Sequence, residues 1–131
     1  MDDNINNKSA KLNKLKKRYI SHEKLIIARV ARKTIRYIEK NTENFPNKYN
    51  VLKTRIINTS YNILENIYRA NIFGEINDKK EIVVNIQMLN FYLEEALNKN
   101  ILTSKKLISY SSHLLELDKM VRTWFTYETN K

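Results

Sequence analysis

The chain contains no cysteine, and glycine and proline occur once each in its 131 residues. Without thiols it can form neither a disulfide framework nor a thiolate metal site. With Gly74 and Pro46 as its only strong turn-formers, a β-fold of this size would lack residues for its hairpins, whereas long helices would go uninterrupted. Long apolar runs are missing too. The best near the N-terminus, Leu25-Ile26-Ile27-Ala28, is cut by Arg29 and followed by Arg32 and Lys33, so it reads as neither a signal peptide nor a spanning helix. A soluble, cytoplasmic protein with no membrane association is expected, and an apolar fraction of 42% suffices for one core.

Negative charge is scarce in one region only. Half of the 24 Lys and Arg residues lie between Lys8 and Lys40, where Glu23 and Glu39 alone oppose them, so about a quarter of the chain carries the whole formal charge of +10. A one-sided field of this kind attracts polyanions and is screened by salt. RNA or DNA is therefore the first partner to expect, ahead of an acidic protein or an anionic membrane.

Periodicity predicts an all-α fold. Residues 1–20 are polar and then lysine-dense, and read as a basic arm that is disordered when free. Residues 21–128 read as a bundle. Ser21 is the predicted cap of a helix running to about Glu43, with Leu25, Ala28, Ala31, Ile35 and Ile38 on its inner face. Pro46 is predicted to open a second helix, with Phe45 stapling onto Tyr49 or the next turn, and Gly74 to end it in the left-handed conformation. Asp78 with Glu81 resembles a capping box for a third helix, whose inner face is Ile82, Ile86, Leu89, Leu93 and Ala96. Asn98-Lys99-Asn100 breaks that helix, and Thr103 or Ser104 caps a fourth with Leu107, Leu114, Leu117, Val121 and Trp124 inward. Four long helices with short links predict an antiparallel up-down-up-down four-helix bundle. Ile57, Leu64, Tyr68, Val84, Met88, Phe91, Tyr92, Ile108, Tyr110 and Phe125 fall off the inner stripes. Burying even half of them against another copy would contribute roughly 5 kcal/mol or more at about 1.5 kcal/mol per large side chain, so self-association is expected.

Catalytic and metal chemistry find no footing in the sequence. A di-iron bundle needs Glu-x-x-His pairs, yet the residues three before His22 and His113 are Tyr19 and Tyr110. A helical ribonuclease would place roughly four to six residues between Arg and His, and Arg18 stands too close to His22. No nucleophile set or phosphate-cradling glycine loop exists either. No enzyme activity, catalytic residue, metal or cofactor is expected.

Candidate binding residues come from the charge pattern. Arg29, Arg32 or Lys33, Arg36 and Lys40 recur at helical steps as a basic stripe, and Lys14, Lys16, Lys17 and Arg18 form the basic part of the arm. Only a pairing of Arg36 with Glu39 would relieve the repulsion along that stripe, which argues against mere solvation of a helix face. Tyr19 and Tyr37 lie within the basic segment, Tyr37 beside the core position Ile38. No residue pattern specifies bases, so phosphate and shape would be read.

From Phe45 onward the chain resembles a known family. Phe45-Pro46-Asn47-Lys48-Tyr49, Leu52, Arg55-Ile56, Ala70-Asn71, Leu89, Tyr92-Leu93, Ala96, Ile101-Leu102-Thr103-Ser104, Leu114, Leu117, Met120-Val121 and Trp124 are similar to the accessory variability determinants of diversity-generating retroelements. Their superfamily includes the bundle proteins encoded by intervening sequences in bacterial ribosomal RNA genes. The resemblance covers about residues 25–127. It implies a ring-shaped homopentamer that binds nucleic acid and the element's reverse transcriptase and is required for mutagenic copying of a template RNA. Asn90 and Glu94 stand where that family often places Arg, so no binding residue is carried over from the third helix. Arg55 matches the family's arginine in the second helix, where an ion pair with a bundle carboxylate is expected. The alternative is a protein-interaction bundle of the intervening-sequence type, whose basic face docks an acidic partner without a nucleic-acid role.

Overall fold

A computed structural model describes residues 2–19 and 25–129, with side chains at 6–14 and 25–125. It is all-helical: α1 (Asp2–Tyr19), α2 (Ile26–Thr42), a 3-10 turn (Asn47–Tyr49), α3 (Asn50–Phe73), α4 (Ile76–Asn98) and α5 (Ser104–Thr129). Helix α2 packs on α3, α3 on α4, α4 on α5, and α5 back on α2, whereas α1 packs on no other helix among the described residues.

The apolar steps of three and four become the core. Ala28, Ala31 and Ile38 from α2 meet Ile56, Ile63 and Ile67 from α3, all five inner residues predicted for α4, and Leu114, Leu117 and Val121 from α5. Leu25, Leu52, Leu107 and Trp124 are half-buried at its margins. Small polar residues sit inside by bonding their own backbone. The Ser60 hydroxyl donates to the Ile56 carbonyl at 2.7 Å and that of Thr34 to Val30 at 2.8 Å, so neither leaves a buried donor unmet.

The links show which local rules hold. Gly74 ends α3 at φ 69°, its amide donating to the Ala70 carbonyl at 2.9 Å; an added Cβ would meet nothing, so the requirement for glycine is purely conformational. Asn100 makes the corresponding left-handed corner after α4 at φ 59°, a conformation asparagine tolerates better than most residues. Thr103 caps α5, its hydroxyl accepting the Lys106 amide at 3.2 Å. Two starts differ from the sequence reading. Pro46 precedes a 3-10 turn rather than occupying the first position of α3, and Phe45 is buried in the core. Helix α4 begins directly after the Gly74 corner, which places Asp78 inside the first turn and leaves no capping box at Asp78 and Glu81. The predicted cap Ser21, with His22 and Glu23, lies outside the described residues.

Residues 2–19, read from sequence as a disordered arm, are helical. They contain no glycine or proline, with acids at the N-terminal end and lysines toward the C-terminal end, as the helix dipole favours. Tyr110, placed off the inner stripe by spacing, is fully buried, edge-to-face on Tyr37 at 5.1 Å. Its hydroxyl has no hydrogen-bond partner among the described residues, and burial, then the neighbouring Tyr37, pushes its pKa up from the usual 10.0. Because removing an unmet buried hydroxyl removes a desolvation cost, Tyr110→Phe is expected to raise stability by about 1 kcal/mol in urea unfolding. A lower midpoint would mean that the hydroxyl is bonded in solution.

Candidate nucleic-acid interface

Helix α2 sets the geometry of the basic surface. Its inner face is taken by Ala28, Ala31, Ile35 and Ile38, which turns Arg29, Lys33, Arg36 and Lys40 outward at steps of four, three and four. All four are exposed and span about 16 Å along the axis at 1.5 Å per residue. The ion pairs among the described residues lie on other helices: Arg69–Glu65, Lys99–Glu95 and Arg122–Asp118. None of Arg29, Lys33, Arg36 and Lys40 has a carboxylate partner among them.

Arg32 stands apart from this row. It is half-buried, its Nε and Nη2 donate to the Tyr68 hydroxyl at 2.9 and 2.5 Å, and its guanidinium lies 5.7 Å from the centre of that ring. These contacts join α2 to α3. Of the two residues offered by spacing at this step, Lys33 is the one in the exposed row.

Glu39 is tied off in a similar way. The Tyr61 hydroxyl donates to Glu39 Oε1, so the expected Arg36–Glu39 pairing does not form among the described residues. That hydrogen bond, followed by burial and the carboxylate's charge, pushes the Tyr61 pKa above 10.0. Arg32 and Glu39 are seven residues apart, as are Tyr61 and Tyr68, and they meet in reverse order as two rungs between α2 and α3. Sequence reasoning did not single out Tyr61, and it set Tyr68 among the residues off the inner stripes rather than on Arg32. The matched spacing of seven was the available signal.

Lys14 is exposed on α1, while the side chains of Lys16, Lys17 and Arg18, and of Tyr19, lie outside the described residues. Tyr37 packs edge-to-face on Tyr110 and on His113 at 5.5 Å, which makes it part of the α2–α5 contact. Arg55 is exposed and the expected ion pair is not formed among the described residues. No group of three or more His, Asp or Glu side chains gathers as a metal site among the described residues, and none of their helices is long and apolar enough to cross a membrane. Compared with known proteins, the chain matches no family model, no curated protein and no solved structure.

Proposed function

We propose that this chain is a non-enzymatic, cytoplasmic accessory protein that binds RNA or DNA on the outward face of α2, and that it acts as partner of a retroelement reverse transcriptase in mutagenic copying of a template RNA. The observation that carries the binding reading is the row Arg29, Lys33, Arg36 and Lys40 on α2, exposed and without carboxylate partners among the described residues. A polyanion supplies the counter-charges that the protein does not, and releases condensed ions as it docks. The lysines of α1 extend the contact. The reverse-transcriptase role comes from the resemblance of residues 25–127 to the accessory variability determinants, as does a homo-oligomer of pentameric order.

The scaffold in this reading is an antiparallel up-down-up-down four-helix bundle. It is supported by the order of cross-helix contacts: Arg32 meets Tyr68 where Glu39 meets Tyr61, and Lys79 meets Trp124 where Asn90 meets Ser111. Numbers rise on one helix of each pair as they fall on the other.

Salt dependence tests the binding reading. Filter binding to arbitrary single-stranded RNA and duplex DNA is expected to weaken linearly on a log–log plot, with slopes of about −3 and −4 from the four contacts of the α2 row, steeper with each α1 lysine that joins them, and without marked sequence preference. No retention of either at low salt, beside capture of an acidic protein on the same face, would replace it with the protein-interaction reading.

A further inference from the structure

Two surfaces among the described residues complement one another. The first is a groove of about 520 Å³ between α4 and α5. Its shoulders are Phe91 and Leu115, which are 49% and 54% exposed, and Ile108 on the same face of α5 as Leu115 is 68% exposed. Its floor is polar and satisfied: the Ser111 hydroxyl donates to Asn90 Oδ1 at 3.0 Å, and Asn90 Nδ2 donates to Glu94 Oε1 at 3.1 Å. Its rim is net acidic, with Glu94 and with Asp118 paired to Arg122. A row of large apolar side chains left in water beside a satisfied polar floor is the form of a docking groove.

The second surface is α1. Side chains 6–14 are all exposed, including Leu12 at 52%, and among the described residues the helix packs on nothing. In sequence Ile5, Leu12, Leu15 and Tyr19 follow at steps of seven, three and four, and no acid occurs after Asp3, while Lys8, Lys11 and Lys14 do. Leu12 to Tyr19 spans about 10 Å of helix, against about 12 Å for the α4 wall from Ile86 to Glu94. Charge and length both match: basic helix to acidic rim, two-turn apolar stripe to two-turn groove.

The geometry points to the α4–α5 groove as the seat of helix α1 from a second copy of the chain. A helix that packs on no other helix among the described residues is free to cover another copy, and because donor and acceptor surfaces differ, the contact is heterologous: exchanged reciprocally between two copies, or repeated head-to-tail among more. The contact rests on the homo-oligomeric reading above and supplies its interface.

The cysteine-free chain makes the test direct. Full-length Leu12→Cys and Leu115→Cys variants are prepared separately, mixed and oxidised. A disulfide between positions 12 and 115, identified by peptide mass, is expected at least about 10-fold above the yield from Leu12→Cys mixed with Thr54→Cys on exposed α3, because the bond requires Cα atoms within about 7 Å. A yield no higher than that control overturns the proposal. So does a doubly substituted chain, diluted into unsubstituted protein, that forms the 12–115 bond only within itself. Light scattering on the parent separates the levels: an oligomer without the 12–115 bond removes this contact and keeps the assembly, whereas a monomer removes both.

Discussion

Replacing Arg29, Lys33 and Arg36 together by Glu is expected to lower affinity for RNA and DNA at least about 100-fold at about 0.1 M salt, with helical content unchanged. The size follows from exchanging three phosphate attractions for three repulsions on a helix that cannot move its side chains far apart. Arg32 is left in place, because its guanidinium holds Tyr68 and its removal would confound binding with the α2–α3 contact. The informative control is Lys105, Lys106 and Lys119 to Glu. These exposed residues lie on α5, so the net charge changes equally while the α2 row stays intact. A loss under about 10-fold is expected for the control, since exposed charges beyond a Debye length contribute little. Equal losses in the two triple variants would make the effect one of net charge and dissolve the row as a site.

The second large effect concerns Lys79. This residue of the first turns of α4 is fully buried, and its ammonium lies 4.4 Å from the centre of the Trp124 ring and 5.9 Å from that of Phe125. The aliphatic stem fills space between α4 and α5 while the charged head faces an aromatic surface. Lys79→Ala removes both and opens a void, and is expected to cost about 2–4 kcal/mol. Lys79→Met keeps an unbranched stem of similar volume while giving up the contacts of the ammonium, the cation–π contact with Trp124 among them, and is expected to cost less than Lys79→Ala. Trp124 is the chain's only tryptophan, so its emission reports the contact directly during urea unfolding. If Lys79→Ala stays within about 0.5 kcal/mol of the parent at unchanged denaturant slope, the stem does not fill that space.

Lys79 also shows where sequence reading stops. Apolar periodicity located the buried faces of α2, α3, α4 and α5, because a stripe of apolar residues at steps of three and four gains most by facing other helices. Gly74 marked a corner because few other residues adopt its conformation. Lysine and tyrosine carry no such compulsion. Each has an apolar body and a polar end, so whether Lys79 and Tyr110 go inside depends on what stands across the bundle. The same holds for the basic surface. Its period along α2 was legible, but the sorting of Arg32 inward and Lys33 outward required Tyr68, thirty-six positions away. The helicity of α1 was hidden by a composition that reads equally well as an unstructured polycation.

The corners at Gly74 and Asn100 bear on how quickly the chain finds its fold. Each joins helices that contact one another across a handful of residues, so α3, α4 and α5 assemble through nearest-neighbour encounters with little loop-closure entropy. Among the described helices the α2–α5 seam, where Tyr37 meets Tyr110, is the joint that brings distant stretches of chain together. That seam is therefore the joint expected to close last, bringing α2, which Arg32 and Glu39 hold to α3, against α5.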